Sequence, residues 1–353
     1  MKESKKLNQD TGTEVLDTDL QPESFADAEL KEPSIEPGKQ QEQQEQEDTK
    51  EIEKLEHEIG DFLDKEKTRQ LEQEDPGVVK QRITGYQRRY LPDYLQKKPG
   101  LLSNALKGIL KIIERNTETE GAENIPEDEC LIICNHFGGG NMGMGDSAAI
   151  SAAFRKKNVH LGVGKNIWWD QNPALRWLFK KVGLIPVEES LDNISEEERE
   201  ESLKRQNKYG QKVFRKIIDK KKQGGLSNKT EFVRQAVAVL SKGEAVGIYP
   251  EGLWLNPEGK TREKQELKQG YTGVELIASQ YKKLTGRELK IVPTVFIEDR
   301  KTGKKKFVIG KNFVSSENNS GMSLTDYGMS KIAGMLPKEQ RGYYKDKVAA
   351  IEK

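Results

Sequence analysis

Chemically versatile side chains are scarce in this chain. Two cysteines and three histidines occur in 353 residues, and aromatic residues make up only 7%. Cys130 and Cys134 share one short apolar run. On a strand they face the same way, too far apart along the backbone for an easy disulfide. They read as two small buried hydrophobes of a reducing compartment. No apolar stretch reaches the ~18–20 residues that span a bilayer, and the N-terminus carries no apolar signal core. The expectation is a cytoplasmic chain without a transmembrane segment, at most peripheral to a membrane. A P-loop is also missing.

What is present is unevenly spread. The formal net charge is +1, yet residues 1–75 hold 10 Lys+Arg against 24 Asp+Glu. Residues 76–353 hold 49 against 34. The first segment is poor in aromatics and low in complexity from Gln40 to Gln46. Such a composition buries too little apolar surface to offset the entropy of ordering. Residues 1–75 are therefore expected to be a disordered acidic Glu/Gln-rich tail, with a charged helix open to residues 50–73. Residues 76–353 are expected to be the folded domain. Its basic balance favours anionic partners, of which phosphate-bearing ligands and an anionic membrane surface fit best. Nucleic acid is not expected, because no recognition motif accompanies the charge. Residues 100–116 place Leu102, Ala105, Leu106, Ile109, Leu110 and Ile113 on one helical face, with Lys107, Lys111 and Arg115 elsewhere. That basic amphipathic helix suits either the domain core or a lipid surface.

From residue 130 short apolar runs alternate with helical patterns. Strands are predicted over Leu131–Cys134, Val159–Val163, Gly183–Val187, Ala245–Tyr249, Leu289–Ile297 and Lys306–Gly310. Helices are predicted from Asp146 as N-cap to Phe154, over Pro173–Lys181, within 196–222, from the capping box Asn228-x-x-Glu231 to Leu240, and over Gly270–Tyr281. The alternation specifies an α/β fold with a largely covered sheet. In such folds, polar residues just past strand C-termini mark the site.

Two strand ends qualify. The run Cys130–Cys134 ends in Asn135-His136, followed by a glycine-rich turn and then Asp146 at a helix start. That is the pattern of a histidine base oriented by a carboxylate, although a lone histidine is more often structural. The second strand end is Tyr249-Pro250-Glu251-Gly252. Gly138 to Gly143 also fits G-x-G-x-x-G, but the next strand ends in Gly164-Lys165-Asn166 where a dinucleotide site needs an acidic residue. His160, inside an apolar strand, reads as core or as support behind the site. Trp168, Trp169 and Trp177 read as core or as membrane-facing anchors.

Taken in order, these blocks resemble the glycerophospholipid acyltransferase superfamily, the 1-acylglycerol-3-phosphate acyltransferases. That family carries Asn-His-x4-Asp, a lysine-bearing block ending in Gly-x-Ile-Pro-Val, then Phe-Pro-Glu-Gly-Thr-Arg and a Val-Pro strand. Here Asn135-His136, Lys165 through Gly183-Leu184-Ile185-Pro186-Val187, Tyr249-Pro250-Glu251-Gly252 and Ile291-Val292-Pro293 follow in sequence. Lys268-Gln269-Gly270 and Leu336-Pro337 to Arg341-Gly342 extend the likeness, which covers about residues 100–346.

The resemblance implies a mixed, mostly parallel sheet flanked by helices, and acyl transfer from acyl-CoA or acyl carrier protein to the hydroxyl of a lysophospholipid, most simply giving phosphatidic acid. The substrate supplies the nucleophile, so no metal or other cofactor is implied. His136 would take the hydroxyl proton, and Asp146 would hold the ring tautomer. Backbone amides near Gly252 or in Gly138–Gly140 would serve the oxyanion. Asn135, Lys165, Glu251 and Gly252 are the candidate substrate-binding residues, with Glu251 equally suited to supporting the loop. The departures are specific. Nine residues separate His136 from Asp146, and Asn141 stands at the family's spacing. Either Asn141 replaces the aspartate, or a glycine-rich insertion loops out and Asp146 is the partner. Ser147-Ala148-Ala149-Ile150, continuing as a helix, favours Asp146. Leu253-Trp254 replaces Thr-Arg, so Lys260, Arg262 or Lys264 in the following loop would have to supply the lost cation. An inactive lipid-binding homologue of the same fold is the alternative.

Overall fold

β2 (Cys130–Cys134) is buried along its whole length, and its side chains divide cleanly between two cores. Leu131 and Ile133 enter one apolar cluster, while Cys130, Ile132 and Cys134 enter the other. Period-2 alternation, with apolar residues at every position, places β2 at the centre of a covered sheet. Both cysteines are buried and unpaired with each other.

The computed structural model describes residues 75–96, 117–136, 144–165, 173–187, 229–252, 266–299 and 304–351, with a few isolated positions besides. All of them belong to the unit Asp48–Lys353. The tail 1–74, the amphipathic stretch 100–116 and nearly all of the helical region 196–222 lie outside the described residues.

Around β2 the strands β1 (Thr117–Glu120), β3 (Val159–Gly164), β4 (Ile185–Val187), β5 (Ala245–Ile248), β6 (Lys290–Asp299) and β7 (Lys304–Ile309) assemble in the order β1-β7-β6-β2-β5-β3-β4. Every pairing is parallel except β6 with β7. The expected mixed, mostly parallel sheet is therefore present. Its helices are α1 (Pro76–Tyr90), α2 (Asp93–Gln96), α3 (Met144–Ala153), α4 (Pro173–Val182), α5 (Lys229–Leu240), α6 (Gly273–Thr285), α7 (Leu324–Met335) and α8 (Val348–Ile351). One apolar cluster joins α1, α5, α6 and α7 to the sheet, and the other joins α3 through Ala149 and Ile150. Among the described residues, no helix is long and apolar enough to cross a membrane.

Several boundaries differ from the sequence pattern for tertiary reasons. α6 starts at Gly273 rather than Gly270. Gly270 N–H donates to Tyr344 Oη at 2.8 Å and Tyr271 N–H to the Pro250 carbonyl at 2.9 Å, which draws those residues out of the helix. Asp146 lies inside the first turn of α3 rather than capping it, because the helix begins at Met144. Four helices have no counterpart in the sequence pattern, the short α2 and α8 and the longer α1 and α7. α1 is opened by Asp75, whose carboxylate accepts from Gly77 N–H at 2.7 Å, with Pro76 in the first turn. α7 is opened by Ser323, whose hydroxyl accepts from Asp326 N–H at 3.0 Å. Both are standard start signals.

His160 sits at the N-terminal end of β3, on the sheet edge opposite the strand C-termini. It belongs to the fold rather than to the site. Its Nδ1 faces the Gly183 carbonyl at 2.7 Å and its Nε2 faces Glu244 Oε2 at 2.9 Å. Burial alone would raise the Glu244 carboxyl, but hydrogen bonds from His160, Lys242 and Asn158 outweigh it and bring the pKa down to about 2. A carboxyl depressed in the folded state stabilises above its unfolded pKa and loses that contribution as pH falls through the folded value. Glu244→Gln should therefore flatten the loss of stability as pH falls from about 5 to 2. Urea midpoints of both proteins across that range measure it. Parallel curves would show that Glu244 does not control acid stability.

Candidate active site

Parallel strands β2, β5 and β3 deliver their C-terminal ends to one edge of the sheet, and the candidate residues cluster there. Asn135 and His136 follow β2, Tyr249 to Gly252 follow β5, and Lys165 follows β3. β5 lies between β2 and β3, so those two strand ends stand about 10 Å apart, two strand spacings.

His136 Nδ1 lies 2.8 Å from Asp146 Oδ2. The imidazole side chain is 24% exposed and the carboxylate 4%, so the pair sits at a surface with its charged partner covered. A carboxylate accepts only, which sets the Nδ1–H tautomer and leaves the lone pair on Nε2. Asp146 Oδ1 accepts from Ser147 N–H at 2.7 Å, fixing the carboxylate to the head of α3. Asn141, the competing partner, lies outside the described residues, as do Gly138–Gly140, Lys260, Arg262 and Lys264.

The other residues at this edge hold backbone. Asn135 is 1% exposed, and its side chain exchanges two hydrogen bonds with Phe296. Nδ2 donates to the carbonyl at 3.2 Å, and Oδ1 accepts from the amide at 2.9 Å. The amide thus imitates a peptide group and carries the β2–β6 ladder one step further, as β2 ends. Glu251 is 3% exposed. Its Oε1 accepts from His136 N–H and its Oε2 from Lys268 N–H, each at 2.9 Å. Burial pushes its carboxyl up, with the two amides and the His136 charge pulling the other way. Of its two sequence roles, loop support has this geometry. Gly252 takes φ +69°, and a Cβ there would stand 2.5 Å from the Tyr271 ring. Only glycine tolerates both constraints. Its N–H donates to the Tyr249 carbonyl at 2.9 Å, closing a turn, so that amide is engaged in the fold. Lys165 is half-buried at the end of β3.

The segment after α7 braces the site from outside. Leu267 N–H donates to the Gln340 carbonyl and Tyr343 N–H to the Leu267 carbonyl, both at 3.0 Å. Tyr344 Oη, which accepts from Gly270, donates to Asp326 Oδ1 at 2.8 Å. Held this way, Lys268 presents its amide to Glu251, which in turn holds His136. The likeness quoted for Leu336 to Gly342 thus falls on residues that fix the loop carrying Lys268.

Sequence reasoning assigned no role to Tyr249 or Ser147. The Tyr249 ring packs on His136 with centroids 4.4 Å apart and planes at 36°. Its hydroxyl lies 2.6 Å from Ser147 Oγ. Burial and the nearby Asp146 charge push the phenol well above its ordinary range, so the hydroxyl keeps its proton. The only local signal was a tyrosine at a strand end beside a proline. Among the described residues, no group of three or more His, Cys, Asp or Glu is placed to hold a metal.

Residues 116–297, just over half of the chain, match the family model described as Acyltransferase. Among solved structures, the chain is similar to the 1-acyl-sn-glycerophosphate (LPA) acyltransferase PlsC of Thermotoga maritima. The identity is 15%, over 72% of this chain and 93% of that one, with a TM-score of 0.36. No curated protein matches.

Proposed function

The chain belongs to the acyltransferase family, as its ordered motifs implied, and from that premise we propose that it esterifies a lysophospholipid with His136 as general base. The acceptor that fits most simply is 1-acylglycerol-3-phosphate, giving phosphatidic acid, with an acyl thioester of CoA or of acyl carrier protein as donor. The observation that carries the proposal is the 2.8 Å contact between His136 Nδ1 and the covered Asp146 carboxylate at the C-terminal edge of the sheet.

The chemistry follows from that pair. An alcohol is a weak nucleophile at neutral pH and needs its proton removed as it attacks. Nε2 accepts that proton while the hydroxyl oxygen bonds to the thioester carbonyl carbon. Asp146 stabilises the imidazolium so formed. The tetrahedral intermediate then collapses, the C–S bond breaks, and the imidazolium returns the proton to the leaving thiolate. The products are the ester and the free thiol.

Substrate recognition extends the same reading. Lys165, together with Lys260 and Arg262, supplies cations for the acceptor phosphate in place of the arginine that Leu253-Trp254 displaces. Asn135, Glu251 and Gly252 shape the floor beneath the acceptor, chiefly through the backbone they hold. The basic balance of residues 76–353 and an amphipathic acceptor together favour work at an anionic membrane surface from the cytoplasmic side.

The test is product formation. Wild-type protein is incubated with lysophosphatidic acid and radiolabelled acyl-CoA or acyl carrier protein, and labelled phosphatidic acid is expected with one donor or both. Binding to anionic vesicles with no labelled ester from either donor would establish the inactive lipid-binding homologue instead.

A further inference from the structure

We infer that Tyr249 is a positioning residue, holding the His136 imidazole against Asp146 through its ring and its hydroxyl together. The inference rests on the reading of His136 as base.

Four contacts close a ring of residues. His136 Nδ1 meets Asp146 Oδ2 at 2.8 Å. Asp146 Oδ1 takes the Ser147 amide at 2.7 Å. Ser147 Oγ meets the Tyr249 hydroxyl at 2.6 Å. The Tyr249 ring returns to the imidazole at 4.4 Å. The members come from the ends of β2 and β5 and the head of α3, so the circuit ties three separate elements at the reacting nitrogen. Without Tyr249 the imidazole loses the aromatic face packed on it and can tilt about the Nδ1 contact with Asp146.

The ring does a second thing. His136 gains a positive charge as it takes the substrate proton, and an aromatic face within ~6 Å attracts a cation. That attraction exists only once the charge develops, so it favours the transition state over the ground state. A phenylalanine, the residue the related motif carries here, supplies this face without the hydroxyl tie. Among the described residues, Asp146 faces His136 at Nδ1, Glu251 at the backbone amide and Tyr249 on the ring face.

The experiment compares Tyr249→Leu, Tyr249→Phe and Ser147→Ala in the full chain. Tyr249→Leu should lower kcat by roughly 10–100-fold, with KM for either substrate changing less than about threefold, because misplacing a catalytic group costs on that order. Tyr249→Phe should recover most of the loss. Ser147→Ala should lose no more than Tyr249→Phe, and the double variant should be no worse than Tyr249→Phe, since both remove the Ser147–Tyr249 bond and Tyr249→Phe also removes the hydroxyl's bond to Asp146. These two conservative variants decide the matter if Tyr249→Leu folds poorly. Full kcat in folded Tyr249→Leu, or a loss confined to KM, overturns the inference. NMR titration of the His136 ring gives a readout independent of turnover. The Tyr249→Leu midpoint should fall as the cation loses its aromatic face, and an unchanged midpoint overturns the inference. A wild type that transfers no acyl group would sink the proposed function, and the NMR arm would still decide the role of Tyr249.

Discussion

Asp146→Asn is expected to lower kcat by roughly 10²–10⁴ while leaving both KM values within a few-fold. Both oxygens of Asp146 accept, one from the His136 ring and one from the Ser147 amide. An asparagine has one oxygen and one NH₂ for those two donors. If the oxygen stays with the Ser147 amide, the NH₂ faces Nδ1 and drives the imidazole proton to Nε2. The base is then blocked at the nitrogen that should take the substrate proton. The variant also removes the charge that stabilises the imidazolium, so the acidic limb of its pH–rate profile should move to lower pH. Folding should change little, since the side chain keeps its shape. Steady-state kinetics across pH 5–9 make the measurement. A variant with wild-type kcat would pass the orienting role to Asn141, and Asn141→Ala would then carry the loss.

Glu251→Ala should be the most destabilising change at the site. The carboxylate is covered and accepts from two backbone amides, those of His136 and Lys268. Removing it takes the shared acceptor from two part-buried backbone donors, at up to about 1–3 kcal/mol each. A loss of roughly 2–5 kcal/mol is expected, with kcat down at least tenfold because the residue carrying the imidazole is no longer held. Glu251→Gln should fall between, since its NH₂ must face one of the two N–H groups. Urea unfolding and initial rates on the same preparations measure both effects. Wild-type stability with only KM raised would instead make Glu251 a direct substrate contact.

Which parts of this were legible in the sequence follows from which parts are local. β2 announces itself as a five-residue apolar run ending in Asn-His, and its neighbours as apolar runs between turn residues. Alternation of strand and helix then pointed to a covered α/β sheet, and the mixed, mostly parallel arrangement came with the resemblance of the ordered motifs. Start signals for α1 and α7, Asp75-Pro76 and Ser323-x-x-Asp326, are equally local, but the apolar periodicity that follows them is weak. Asn135 and Glu251 are different. Their partners Phe296 and His136 stand 161 and 115 residues away, and nothing near either residue specifies them. The side chains were recognisable as polar groups at a strand end, which suits a substrate contact as well as a backbone clamp. Tyr249 was hidden for the same reason. Its ring and hydroxyl acquire a task only when β5 and α3 come together around β2. The start of α6 moved three residues because Tyr344 and Pro250 draw Gly270 and Tyr271 out of the helix, which no local propensity records.

The central claim is that His136 takes the proton from the acceptor hydroxyl. Single-turnover acyl transfer to lysophosphatidic acid, with donor and acceptor saturating, tests it most directly when wild type and His136→Ala are compared. The account predicts a fall of roughly 10³-fold or more in the alanine variant, with vesicle binding unchanged and the fold retained. Equal rates in the two proteins would contradict it.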